Sequence, residues 1–269
     1  MKQRSMPLLA CALLFLGAAC SSNTNADVAG SSSSAPSQTD LTVFAASSLT
    51  GAFTQIGKQF EQAHPGTHVT FNFGASDDLA GQIQSEGTAD VFASASPTWM
   101  DAVQKKPGVS DRSDFAQNTL VIIVPQGNPA NVESIGDLAE DGLQLVLAAK
   151  GVPVGDYARE ALDNAGIAKQ TEANVVSNEE DDASVVQKIS SNEADAAIVY
   201  SSDIAGPSGA GVESISIPDS DNVIATYPIA VVTGSSQSDL ATQFVDTVTG
   251  SSGQSVLKTY GFLPPPSGG

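Results

Sequence analysis

Two serines stand where a hydroxyl could meet an anion. Ser48 ends the strand-like run Leu41-Thr-Val-Phe-Ala-Ala-Ser and opens a helix-like pattern, and Ser76 does the same after Val69-Thr-Phe-Asn-Phe-Gly-Ala. A serine at a helix start accepts a bond from a free backbone N–H, while its own proton can point outward. The first helical turn adds unpaired N–H donors and a partial positive charge, so a tetrahedral oxyanion can be held there without lysine or arginine. Two such ends facing each other make half a cage.

The elements that must position these serines follow from the hydropathy pattern. Short apolar runs alternate with amphipathic stretches, which predicts an α/β protein with mainly parallel sheet. Strands are expected near 41–45, 67–73, 90–93, 119–125, 144–148, 172–176, 196–200 and 224–232. Helices are expected over 49–63, 77–86, 97–105, 155–166, 181–191, 238–248 and 252–260. Two long apolar strands, Asn118–Pro125 and Ile224–Thr233, suit a chain that leaves one lobe and returns to it. Residues 41–120 plus 227–263 then form lobe 1 and residues 121–226 lobe 2, with two crossing strands between them and a ligand in the cleft.

The first forty residues read differently. Lys2 and Arg4, an apolar run from Leu8 to Leu16 and then Gly17-Ala-Ala-Cys20 make residues 1–19 a secretory signal, too short in its apolar core to span a bilayer. Small residues directly before Cys20 resemble the lipobox of bacterial lipoproteins, in which that cysteine carries lipid. Gly17 departs from the leucine usual at its place. Residues 20–40 then form a Ser-rich polar tether. Of the two cysteines, Cys11 lies in the signal, so the body has no disulfide, thiolate nucleophile or cysteine metal site.

Loss of Lys2 and Arg4 takes the formal charge from −19 to −21, which makes nucleic acid an improbable partner. An acidic surface does not exclude an anion ligand, because surface charges are screened over about 8 Å at physiological salt whereas buried dipoles act at contact. An enzyme finds little support. The two histidines, His64 and His68, flank a Pro-Gly turn, and neither a Gly-x-Ser-x-Gly elbow nor a Ser-x-x-Lys occurs at the serine motifs. The acidic run Glu179–Asp182 lacks the spaced ligands and glycine turn of a calcium loop, and Trp99 and Met100 read as packing residues behind a Ser96-Pro97 helix start.

The order of motifs along 41–263 resembles the periplasmic molybdate-binding proteins of ABC transporters. It is carried by Val43–Leu49, Phe73–Ser76 with Leu79, Ala89–Ala95 with Trp99–Asp101, Val152–Gly155 with Tyr157, Glu179–Asp181, Ala197–Tyr200, Tyr227–Ala230 and Tyr260–Phe262. The resemblance implies a two-lobed periplasmic-binding-protein-like fold (type II) and a non-enzymatic role: extracytoplasmic capture of molybdate, and tungstate with it, for delivery to a membrane permease. It places the oxyanion on the hydroxyls of Ser48, Ser76 and Tyr200, on the N–H of Val154 and on a main-chain N–H at Asp182, or at Asp181 if the register shifts by one. No cofactor and no free metal ion is implied. Asp182 departs from the apolar residue usual there, and its side chain is expected to point into solvent. The implied protein is a monomer, held by lipid on Cys20 to the outer face of the cell membrane. Other small anions such as sulfate or phosphate, a surface lipoprotein without a transport role and a serine hydrolase are the competing readings.

Overall fold

The computed structural model describes residues 38–205 and 209–267, so the signal, the tether and Cys20 lie outside the described residues. The chain runs β1 (Thr39–Ala46), a 3-10 turn (Ser47–Leu49), α1 (Thr50–Ala63), β2 (Thr67–Gly74), α2 (Ser76–Glu86), β3 (Val91–Ala93), α3 (Pro97–Lys105) and β4 (Val109–Pro125). It continues through β5 (Leu145–Ala148), α4 (Pro153–Asn164), α5 (Ala168–Glu172), β6 (Val175–Glu179), α6 (Asp182–Ser190) and β7 (Ala196–Tyr200). After a 3-10 turn (Ser201–Ile204) come β8 (Val212–Ser216), β9 (Ile224–Val232), α7 (Ser238–Thr249) and α8 (Ser251–Thr259). No helix among the described residues is long and apolar enough to cross a membrane.

The strands lie in the order β2-β1-β3-β9-β4-β7-β5-β6, with β8 also on β4. Pairing is parallel for β1 with β2 and β3, and for β5 with β6 and β7, where helices supply the crossovers. It is antiparallel wherever β4 or β9 takes part. β4 changes partners along its length. Val109–Thr119 pairs with β9, and Leu120–Pro125 pairs with β7 and β8. A single strand therefore belongs to both halves of the sheet, and β9 brings the chain back to the first half.

Three departures from the expected elements have local causes. The strand expected at 172–176 begins at Val175, because Ala168–Glu172 forms one more helical turn first. β8 and the first half of β4 were not anticipated, since Val212-Glu-Ser-Ile-Ser and Ser110-Asp-Arg-Ser-Asp carry little apolar signal and owe their extended form to pairing with β4 and β9.

Packing holds the motif-bearing ends rigid. α1 buries Phe53, Ile56 and Phe60 at helical spacing, and these rings meet Phe244 of α7 at centroid distances of 6.0 and 5.3 Å for Phe53 and Phe60. α4 sits directly on the end of β5. A Cβ on Gly155 would lie 2.3 Å from the carbonyl oxygen of Ala149 and 2.4 Å from that of Ala148. Arg159 ties the same corner together, its Nη1 donating to the carbonyls of Ala148 and Gly155 at 2.8 Å each. Gly155→Ala should therefore push α4 off β5 and lower stability by about 1–3 kcal/mol, read as a drop in the thermal unfolding midpoint. A variant as stable as the parent would show that this corner has slack.

Candidate functional site

β1, β2, β5 and β7 all end at one small cavity, whose wall includes Ser47, Ser48, Ser76, Val154, Asp182 and Tyr200. The five residues named for the oxyanion, Ser48, Ser76, Val154, Asp182 and Tyr200, are thus brought together, although they are spread over more than half the chain. Among the described residues, no lysine, arginine or histidine lines this cavity.

The two serines do not serve as caps. The 3-10 turn at Ser47–Leu49 and helix α2 follow Ala46 and Ala75, and neither start carries a side-chain cap bond. Ser76 is 1% exposed and its Oγ accepts from the N–H of Ala95 at 3.0 Å. Its proton remains available for a ligand. Ser48 Oγ lies 3.0 Å from Tyr227 Oη. Behind them the buried Asn118 donates through Nδ2 to Ser202 Oγ at 2.8 Å and to Tyr227 Oη at 3.4 Å. Either hydroxyl of the Ser48–Tyr227 pair can donate in this bond, and with Tyr227 donating the Ser48 proton is free to turn toward the cavity.

Tyr200 ends β7 with 1% exposure, and its hydroxyl has no hydrogen-bond partner among the described residues. Its ring packs edge-on to Tyr157 and Tyr227 at centroid distances of 6.4 and 5.7 Å. Burial, followed by the neighbouring tyrosines and aspartates, raises its pKa well above the usual tyrosine value, so it stays a neutral donor. A buried donor left unmatched in this way costs about 1–3 kcal/mol, which an incoming oxyanion can recover. At the start of α4, Pro153 occupies the first helical position and no side chain caps Val152, so the N–H of Val154 is presented at an uncapped helix end.

Asp182 requires a correction. Its side chain does not point into solvent: it is 3% exposed, and its Oδ1 accepts from Ser47 Oγ and from the N–H of Ala183 at 3.1 Å. The cause lies one residue earlier. Asp181 takes the N-cap of α6, accepting from the N–H of Ser184 at 2.8 Å, which leaves Asp182 as the first helical residue and turns it inward toward the Ser47 turn. Burial pushes its pKa up to about 6, and Asp203, which lines a cavity with it, is raised well above the ordinary carboxyl value by burial and by the charge of Asp182.

Sequence reasoning missed Tyr227 as a support for Ser48, the linking role of Asn118, and the acid Asp203. Tyr227 was visible only as a family landmark, and nothing in Ser201-Ser-Asp203 marks a buried acid. Met100 is a packing residue, fully buried beside Phe92 and Leu79. Trp99 does more, since its Nε1 donates to the carbonyl of Gly151 at 2.9 Å and so ties α3 to the turn before α4.

An α/β sheet shared through β4, with helix ends converging on a small cavity of neutral donors, defines a solute-binding protein of the two-lobed type. Residues 41–263 match the family described as bacterial extracellular solute-binding protein, and the chain belongs to that family, which is one of binding proteins and not of enzymes. It is 40% identical over 261 residues to the molybdate-binding protein ModA of Mycobacterium bovis, covering 96% of this chain and 97% of that one. Identity to the molybdate-binding protein ModA of Escherichia coli is 34% over 230 residues, or 82% of this chain and 88% of that one. Among solved structures, the periplasmic molybdate-binding protein of Azotobacter vinelandii superposes with a TM-score of 0.74 at 21% identity, covering 84% of this chain and 100% of that chain. The sulfate-binding protein SubI of Mycobacterium tuberculosis reaches 0.75 at 17% identity, covering 84% and 87%. These two likenesses establish the fold.

Proposed function

We propose that the protein captures molybdate, and tungstate with it, outside the cytoplasm and delivers it to the permease of an ABC transporter. The observation that carries this reading is the unpartnered, buried hydroxyl of Tyr200 in a small cavity that also receives Ser48, Ser76 and the start of α4. In this reading the hydroxyls of Ser48, Ser76 and Tyr200 and the N–H groups of Val154 and Asp182 bind the oxyanion. Each bond to a charged ligand contributes about 1.5–3 kcal/mol, so several together offset dehydration of the dianion without a salt bridge. Selectivity over sulfate comes from cage size, because donors spaced for a larger anion stand too far from sulfate oxygens. The relatives named molybdate-binding proteins support the choice of ligand.

The lobes we assign are 41–120 plus 227–263 and 121–226, a division supported by the change of partner on β4 between Thr119 and Leu120. Ser48 and Ser76 then belong to lobe 1, and Val154, Asp182 and Tyr200 to lobe 2, so ligand capture closes the cleft. Lipid on Cys20 and the tether to residue 40 hold the monomeric body at the outer face of the membrane. Calorimetric titration of the body with molybdate, tungstate, sulfate and phosphate tests the reading. Tight one-to-one binding of molybdate and tungstate is expected. Binding of sulfate or phosphate in their place would reassign the ligand, and no binding to any of the four would overturn the transport role.

A further inference from the structure

Two buried carboxyls stand beside the cage, and the oxyanion ligand set uses neither. Asp182 is 3% and Asp203 8% exposed, and both line one cavity. One oxygen of each accepts from donors: Ser47 Oγ and the Ala183 N–H on Asp182 Oδ1, and the Tyr200 N–H, at 2.9 Å, on Asp203 Oδ2. An ionised carboxylate has no donor, so two buried in one place can favour each other only when one of them keeps its proton. A buried pair of like charge also cannot ionise twice without a cation nearby.

No lysine, arginine or histidine lies beside the pair among the described residues. The ionisable groups facing the pair are Asp181 at the N-cap of α6, Tyr200 of β7 and Tyr227 of β9, with the neutral Ser47 hydroxyl on the remaining side. A second cavity of about 560 Å3 is lined by both aspartates, and among the described residues no lysine, arginine or histidine lines it either. Burial above all, and then the charge of Asp181, push Asp182 and Asp203 toward the neutral acid.

We propose that Asp182 and Asp203 hold one proton between them in the free protein and take up a second when a dianion enters the cage. Asp182 is then a positioning residue of the cage wall, and capture is coupled to its protonation. The proton comes from bulk water or buffer and forms an O–H bond on the carboxyl pair; no other bond is made or broken. Uptake lowers the negative charge around the bound dianion by one, which is what makes the two events favour each other. This coupling rests on the oxyanion ligand proposed for the cage.

Titration of the whole body with molybdate in buffers of different ionisation enthalpy counts protons directly. Between pH 6 and 8.5, where molybdate stays a dianion, binding should take up a substantial fraction of one proton, and affinity should weaken with rising pH by up to about tenfold per unit. In Asp182→Asn the uptake and the pH slope should both vanish, whereas a purely structural role would lower affinity and leave the slope in place. The ligand-free protein gives a second readout. Because the pKa of Asp182 is raised from 3.8 to about 6, its contribution to stability is fully present below the unfolded value and is lost as pH rises through about 6, so the unfolding midpoint should fall over that interval in the parent and not in the variant. If Asp182→Asn does not fold, the parent alone decides the matter, because heats that do not depend on the buffer overturn the coupling. Absence of any molybdate heat would overturn the ligand assignment and the coupling with it, while molybdate binding without proton uptake would overturn the coupling alone.

Discussion

Replacing Ser48 and Ser76 together by alanine is expected to weaken molybdate binding by about 150- to 25,000-fold, because two charge-assisted bonds of about 1.5–3 kcal/mol each are removed. The geometry makes these two hydroxyls hard to replace. Ser76 is buried at the start of α2 with its acceptor side on the Ala95 N–H, and Ser48 is oriented from behind by Tyr227. Among the described residues, no lysine or arginine lines their cavity to take over. The loss should appear in calorimetry as a shallow isotherm, with far-UV circular dichroism unchanged. Stability will fall modestly, since alanine at 76 leaves the Ala95 N–H without its acceptor, at a cost of about 1–3 kcal/mol. The parent's affinity should also depend weakly on added sodium chloride, because short-range dipoles in a buried site are screened far less than surface charges. Affinity retained within about threefold in the double variant would sink the serine cage, since even one lost bond of this kind exceeds that change.

Much of this site is legible in the sequence because its parts are strand ends followed by helix starts, and that boundary has a strong local signature. Ser48, Ser76 and the Pro153-Val-Gly155 corner each stand where an apolar run gives way to helical periodicity, and all three reach one cavity. What could not be read is what the second sheet half does to side chains. Asp182 looked solvent-bound because an acid beside a dianion is unfavourable. Its actual environment depends on Asp203, twenty-one positions later, and on Ser47, which comes from the other end of the chain. Tyr227 and Asn118 support Ser48 only because β9 and β4 pair in a register that puts them side by side. The first half of β4 was equally hidden, since Ser110–Asp114 has no alternation and is extended only through its partner. Local pattern thus identified the groups that end elements, and tertiary pairing decided which of them are supported, neutralised or left free.

Tyr200→Phe is expected to act in opposite directions on stability and on binding. In the free protein the hydroxyl is buried and unmatched, so its removal should stabilise the fold by up to about 1–3 kcal/mol, which for a domain of this size raises the unfolding midpoint by about 2–4 °C per kcal/mol. In the complex the same hydroxyl donates to the oxyanion, so its removal should weaken molybdate binding by about 10- to 150-fold. The ring contacts with Tyr157 and Tyr227 persist in phenylalanine, and the Tyr200 N–H that holds Asp203 belongs to the backbone, so the carboxyl pair is undisturbed. Thermal unfolding with and without saturating molybdate reads both effects at once, because a ligand stabilises in proportion to the logarithm of its concentration over its dissociation constant. The variant should start higher and gain less. If Tyr200 is a packing residue whose hydroxyl has no ligand role, the midpoint without ligand will rise and the gain from molybdate will equal that of the parent. If the hydroxyl supports the fold in a way the closed cavity conceals, the midpoint will fall. Only a crossed result, a more stable protein that holds its anion less well, fits a donor kept unpaired for the ligand.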